Sequence, residues 1–168
     1  MTMTRLLRGL GALAYVCIAV LAATTAGAQT PAPVGAPKPE AAAVQKTIEG
    51  FMDALNAADI EKFAPFFAND ATMFFPLAPI YSRLENKEQI TQVFGVFFES
   101  VRKGKTGPRY MNLVPQDLRI QLFGSTAVAT FGFKGPDLIS RRTLVLRRET
   151  GKWQIVHMHA SNLGVPKE

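Results

Sequence analysis

The chain of 168 residues carries 19 lysines and arginines against 13 aspartates and glutamates, a formal charge of +6, with 48% apolar residues and one cysteine. That is enough apolar material for one core of ordinary size and too little charge for a disordered chain. A lone cysteine excludes an internal disulfide and a thiolate zinc cluster, and a basic excess this small and scattered is unlike the clustered charge of a nucleic-acid binder.

Residues 1–28 read as an export signal. Arg5 and Arg8 form a positive start, residues 10–23 an apolar run, and Ala26-Gly27-Ala28 a small-x-small cleavage pattern. The run is shorter than the ~20 residues a spanning helix needs, so cleavage after Ala28 is expected, leaving a periplasmic or secreted chain with no membrane contact. Cys17 lies inside this segment behind Val16, where a lipoprotein signal would want a small residue, so the mature chain has no thiol. Without Arg5 and Arg8 the balance is seventeen basic against thirteen acidic residues, or +4. The pairs Arg102-Lys103, Arg141-Arg142 and Arg147-Arg148 are spread along the chain, and no nucleic-acid partner is predicted. Residues 29–41 hold Pro31, Pro33, Pro37 and Pro39 and read as an extended tether. Residues 42–168 form the folded domain.

That domain opens with a helix whose stripe is Val44, Ile48, Phe51, Met52 and Leu55. Asn56-Ala57-Ala58-Asp59 breaks it, and Asp59 caps a short second helix carrying Phe63 and Phe67. Asn69-Asp70 reads as a turn, and residues 72–75 as a short strand stopped by Pro76 and Pro79. A third helix is capped by Asn86 with Gln89 answering three residues on; Ile90, Val93, Phe94, Phe97, Phe98 and Val101 mark its apolar face, and Gly104 ends it. The period then changes to two. Leu118, Ile120 and Leu122 alternate with Asp117, Arg119 and Gln121; Gly124-Ser125 and Lys134-Gly135-Pro136-Asp137 turn the chain, and Glu149-Thr150-Gly151 leads into a closing strand over residues 151–162. Helices first and then an antiparallel meander describe an α+β domain with helices on one sheet face, and a sheet curled around a long helix leaves a cone-shaped pocket.

On the closing strand, strict alternation puts Trp153, Ile155, His157, His159 and Ser161 on one face and Gln154, Val156, Met158 and Ala160 on the other. Two imidazoles at i and i+2 reach one ion, but zinc needs three or four ligands and no other residue is tied to them by spacing, so no metal is predicted. The histidines are expected to pack or hydrogen-bond where two subunits meet. Ser161 shares their face, yet residues i and i+2 on a strand lie about 7 Å apart, too far for direct proton relay. Tyr81 and Tyr110 can offer hydroxyls at a pocket rim. Phe131, Phe133 and Met158 read as core, touching a ligand where they near the cone mouth. Arg119 and Arg142 are the polar groups to watch: a buried guanidinium demands a partner, and where the protein supplies none an anionic or carbonyl ligand can.

The first helix, the Ala58-Asp59-Ile60 break, the Phe74-Phe75-Pro76 strand end, the capped third helix and the Trp-x-Ile-x-His-x-His-x-Ser finish together resemble the nuclear-transport-factor-2-like superfamily in its SnoaL-like branch. The finish is also similar to the association domain of calmodulin-dependent protein kinase II. The resemblance spans about residues 44–165 and implies a cystatin-like cone, a curved, mainly antiparallel sheet wrapped around three N-terminal helices. For activity it is broad, since one scaffold hosts isomerases, cyclases, hydratases, transport adaptors and oligomerisation modules. The carboxylate-binding cations that the kinase domain would imply fall at Ala160, about Phe133 and near Leu144, where Arg142 is close enough to confuse the register; its pocket histidine falls near Arg119. Isomerase chemistry would imply a carboxylate base opposite a buried donor. Asp117 is the only inward candidate, and beside Arg119 it reads as an ion pair. The expected function is therefore binding of a small, largely apolar molecule by a homodimeric domain without a cofactor, its pocket drawn from Tyr81, Arg119, Phe131, Phe133, Arg142, Met158 and Ala160. The alternatives are an isomerase, cyclase or hydratase using Asp117, Arg119, Tyr81, His157 or His159, and a pure oligomerisation module.

Overall fold

A computed structural model describes residues 39–135 and 138–164; the predicted signal segment and most of the predicted tether lie outside them. Helix α1 (Pro39–Asn56) opens the fold. Proline suits the first helical position because the amide it lacks would have no helical partner there, and Glu40 faces the positive end of the helix dipole. Among the described residues the helix therefore runs from Pro39, so its first turn includes the last residues of the predicted tether. Val44, Ile48, Phe51, Met52 and Leu55 are buried. Ala58, at φ 48°, turns the chain out of α1, and Asp59 caps α2 (Ile60–Phe63) by accepting from the Lys62 amide at 3.1 Å. Pro65 follows in a single 3-10 turn, Ala64–Phe66. Phe67, expected on the second helix, instead begins strand β1 (Phe67–Phe74).

Asn69 and Asp70, expected to form a turn, lie inside β1. Between the pairs Phe67/Ile155 and Thr72/His157, β1 takes five steps against two on its neighbour, so its surplus backbone arches outward without ending the strand. Helix α3 (Lys87–Arg102) is capped as predicted: Asn86 Oδ1 accepts from the Gln89 amide at 2.9 Å. The Gln89 side chain answers at the Glu85 amide, 2.8 Å away, one residue earlier than in a capping box.

The remaining strands are β2 (Gln116–Phe123), β3 (Thr126–Lys134), β4 (Leu138–Glu149) and β5 (Lys152–Gly164). They form one five-stranded sheet in the order β1-β5-β4-β3-β2. β1 runs parallel to β5 and every other pair is antiparallel. Ala127, Ala129, Leu144, Leu146 and Ile155 from the sheet join the helical residues in one core. At its centre the Phe63 ring meets those of Phe51, Phe67, Phe94 and Phe98 at centroid distances of 5.1, 5.3, 4.4 and 5.2 Å.

Two irregularities redirect side chains. Leu146 pairs with Ile155 and Val145 with His157, so β5 takes two steps where β4 takes one and Val156 is the extra residue. A one-residue insertion exchanges the faces of everything beyond it. Trp153 and Ile155 are therefore buried on the same side as Met158 and Ala160, while His157 and His159 face the other way. The expected grouping of Trp153 with the histidines is corrected accordingly. In β2 three steps, Gln116 to Arg119, oppose two on β3. Asp117, at φ 55°, is exposed there rather than directed inward.

Candidate functional site

Between the sheet and the helices lies a cavity of about 250 Å³. Leu55 of α1, Phe94 and Phe97 of α3 and Leu113 of the loop before β2 form one wall; Met73, Phe75, Pro76 and Leu77, on β1 and just beyond it, form a second. The sheet supplies the third with Phe133, Leu138, Met158 and Ala160, together with three polar residues, Ser140, Arg142 and Asn162. These three fall on one patch because β4 residues 140 and 142 share a face and pair with Asn162 and Ala160 on β5. Larger hollows elsewhere, such as one between Asn69, Asn86 and Gln92, are more open to solvent.

Ser140 is buried at 7% exposure, and its hydroxyl donates to Asn162 Oδ1 at 2.8 Å. Asn162 Nδ2 reaches the Pro76 carbonyl at 3.4 Å. Arg142 Nη1 donates to the carbonyl oxygens of Arg141 at 2.8 Å and Ser161 at 3.2 Å, and its guanidinium lies 5.3 Å from the centre of the Phe133 ring. Among the described residues it forms no ion pair. Burial without a counter-charge penalises the cation and pushes its pKa down to about 10, so it stays charged at neutral pH. Leu144, the position at which the resemblance implied a cation, is an apolar residue at 0% exposure two places along the same face.

Of the residues predicted for the pocket, Phe133, Arg142, Met158 and Ala160 line the cavity. Phe131 is buried behind it with its ring 5.5 Å from Phe133. Tyr81 stands 83% exposed on the loop after β1, and Arg119 is exposed on β2; neither lines the cavity, since β2 is the far edge strand and its bulge turns this segment to solvent. Asp117 shares that position. Ser140 escaped the sequence reading although it stands two residues from Arg142 on the same strand, a spacing that would have found it. Asn162 continues the parity of Met158 and Ala160. Leu113 and Phe75 sit in irregular segments with no period to reveal them.

His157 and His159 lie on the outer face of the sheet. The His157 Nδ1 and Thr72 Oγ1 atoms share a hydrogen bond of 2.8 Å, and the Phe74 ring lies 6.0 Å from the His157 ring and 5.7 Å from that of His159. Partial burial, followed by the positive charges of His159 and Arg83, lowers the His157 pKa. No cluster of three or more potential metal ligands occurs among the described residues.

A SnoaL-like domain family model matches residues 44–166. Among solved structures, an NTF2-like protein of unknown function from Pseudomonas putida is similar at 24% identity, covering 76% of this chain and 89% of its own, with a TM-score of 0.62. A candidate dehydratase of the NTF2-like family from Streptomyces avermitilis shares 17% identity over 74% of this chain and 96% of its own, TM-score 0.62. A candidate calcium/calmodulin-dependent protein kinase II association domain from Xanthomonas campestris shares 22% over 78% and 91%, TM-score 0.56. No curated protein matches the sequence. The helices packed against a curved five-stranded sheet are the cystatin-like fold of the NTF2-like superfamily, and with the family model covering nearly all of that fold, the chain belongs to the SnoaL-like domain family.

Proposed function

We propose that this chain is an exported SnoaL-like domain that binds a small, largely apolar molecule in its cone and pairs with a second copy through the outer face of its sheet. The observation that carries the binding reading is the cavity of about 250 Å³, walled by phenylalanine, leucine and methionine with a few polar groups on one side. A pure oligomerisation module would have no use for that space. Proton-transfer chemistry needs a carboxylate, an imidazole or a comparable group within hydrogen-bond reach of the substrate. Among the described residues no carboxylate or imidazole lines the cavity, and Asp117 lies outside it. The pairing reading is supported by Thr72, Phe74, His157 and Val145, which place apolar and hydrogen-bonding groups together on the outer face. Export is supported by the Arg5 and Arg8 start, the apolar run and Ala26-Gly27-Ala28.

The test uses the mature protein and the neutral fluorophore N-phenylnaphthylamine. Wild type is expected to take it up with a blue-shifted, brighter emission. Ala160→Leu, which puts an isobutyl group where a methyl lines the cavity, is expected to lose that uptake while remaining folded by circular dichroism. Absence of uptake by wild type, or unchanged uptake by Ala160→Leu, would remove the binding reading. Native mass spectrometry of protein taken from its own host then shows what co-purifies.

A further inference from the structure

We infer that the end of the fold where the tether joins it is a docking surface for anionic phospholipid, formed by Lys46, Lys87 and Lys152. The choice of partner rests on the export reading above, and it departs from the expectation of a chain with no membrane contact.

An open hollow of about 610 Å³ lies between the first turns of α1, the 3-10 turn, the start of α3 and the start of β5. Four lysines line it: Lys46 of α1, Lys62 of α2, Lys87 at the first position of α3 and Lys152 at the first position of β5. These are four of the seven lysines among the described residues, brought to one place by four separate elements. No described residue lining the hollow is acidic. Lys62 is answered by Asp59 at 3.0 Å, whereas Lys46, Lys87 and Lys152 form no ion pair among the described residues. Glu88, next to Lys87, lines the neighbouring hollow instead. Arg148 adds a further cation, its guanidinium 5.7 Å from the ring of Trp153 in the hollow's lining.

Like charges gathered without counter-charges repel one another and gain when an anionic partner approaches. A lysine ammonium is a point charge on a flexible stem and lacks the fork that fixes a single phosphate. With Lys46 and Lys152 exposed, the arrangement suits a diffuse layer of negative charge better than one enclosed anion. Covalent order points to the source of that layer. Residues 29–38, which include a lysine and no acidic residue, enter the fold at Pro39, two helical turns before Lys46. They join it to the apolar run of the export signal, and ten residues in the extended form that proline favours span about 31 Å. Export therefore brings this end of the domain within reach of lipid headgroups. The hollow shares no lining residue with the cavity, and a binder of apolar molecules gains from standing at the bilayer that dissolves them.

The test is co-sedimentation of the mature protein with vesicles of phosphatidylcholine alone and of phosphatidylcholine mixed equally with phosphatidylglycerol. Wild type is expected to pellet only with the mixed vesicles at about 0.01 M salt, where charges act over about 30 Å, and to be released at about 1 M, where they act over about 3 Å. A lysine close to an anionic surface adds about fivefold to partitioning, so Lys46→Gln, Lys87→Gln and Lys152→Gln together are expected to weaken binding about a hundredfold. Lys103→Gln, Lys105→Gln and Lys134→Gln together change the net charge equally and are expected to keep binding, since Lys103 lies roughly 24 Å from Lys87 along α3. Equal loss in the two triple variants would assign the binding to overall charge and overturn the inference. Equal binding of wild type to both vesicle types, or to neither, also overturns it, and that comparison decides even where a variant does not fold. Release by inorganic phosphate but not by chloride at the same ionic strength would replace the lipid-facing surface with a discrete phosphate site. Export is read separately from alkaline phosphatase fused after residue 38; an inactive fusion with vesicle binding intact would take down the export reading and leave the lysine surface standing.

Discussion

Asn56→Ala is expected to be among the most damaging single truncations of a polar side chain in this fold. Asn56 ends α1 at 1% exposure, and its carboxamide grips the backbone of Leu113: Nδ2 donates to the Leu113 carbonyl at 3.0 Å and Oδ1 accepts from the Leu113 amide at 2.7 Å. Its own carbonyl accepts from the Tyr110 and Met111 amides at 2.9 and 3.0 Å, but those bonds do not involve the side chain. The substitution therefore removes two hydrogen bonds and leaves a half-buried amide and carbonyl to find other partners. At about 1 kcal/mol for each net bond, and up to about 3 for a polar group left unpaired, the cost is about 2–4 kcal/mol. For a domain of this size that lowers Tm by roughly 8–16 °C. Urea unfolding followed by circular dichroism measures it, with Gln45→Ala as control, because the Gln45 bond to Glu49 lies on the exposed face of the same helix and its loss should stay within about 0.5 kcal/mol. Leu113 also lines the cavity, so the folded fraction of Asn56→Ala should take up the fluorophore more weakly. A loss of less than about 1 kcal/mol would show that the loop before β2 is held by something other than this grip.

Phe63→Ala removes the ring at the centre of the aromatic cluster and should cost about 3–5 kcal/mol in chemical denaturation; a cost under about 1.5 kcal/mol would mean the cluster collapses onto the gap. If two copies pair through the outer sheet face as proposed, His157→Ala is expected to weaken that assembly in sedimentation velocity at matched concentration, and unchanged assembly would strip His157 of an interface role. The lowered pKa of His157 also gives stability a direction with pH. Its folded pKa lies below the unfolded value of 6.5, so the unfolded chain binds more protons in the window between them. Stability is thus full above about pH 6.5 and declines as pH falls towards the folded pKa. Tm of wild type between pH 8 and 5 should drop in that window more than Tm of His157→Gln, and parallel curves would refute the assignment.

Where local chemistry alone decides, the elements were readable. Asn86 followed by Gln89 and an apolar face at helical spacing specified α3, and its expected core residues Ile90, Phe94 and Phe98 are the ones buried. The hairpin strands β2 to β5 follow from alternation and turn residues. β1 was only half visible, because its first residues pair in parallel with a strand some ninety positions later in sequence and its Asn69-Asp70 arch carries ordinary turn chemistry. Tyr81 on the loop after a strand and Arg119 near the resemblance's pocket histidine suggest a pocket, but nothing local distinguishes an exposed loop tyrosine or an edge-strand arginine from one that faces a cavity. Asn56 looked like a helix breaker; that it also anchors a loop 57 residues on is a tertiary fact.

The extra residue in β5 was readable in principle. Trp153 and Ile155 are two apart, Met158 and Ala160 are two apart, and the step from Ile155 to Met158 is three. Strict alternation must put one of these apolar pairs on the solvent side, whereas a single inserted residue buries both. The odd step is thus a signal for a bulge, and all four are buried in the structure. The bulge links the two surfaces on which the functional proposals stand. By re-aiming the strand after Ile155 it turns Met158, Ala160 and Asn162 into the cavity beside Arg142, and by the same exchange of faces it delivers His157 to Thr72 on the outside. Deleting Val156 makes the step from Ile155 to Met158 two, so Leu146, Val145 and Leu144 should pair with Ile155, His157 and Met158 in a regular ladder and every side chain should keep its face. Fluorophore uptake and the outward placement of the histidines should therefore both survive the deletion. Loss of uptake in a folded deletion variant would show that the bulge shapes the cavity beyond absorbing one residue.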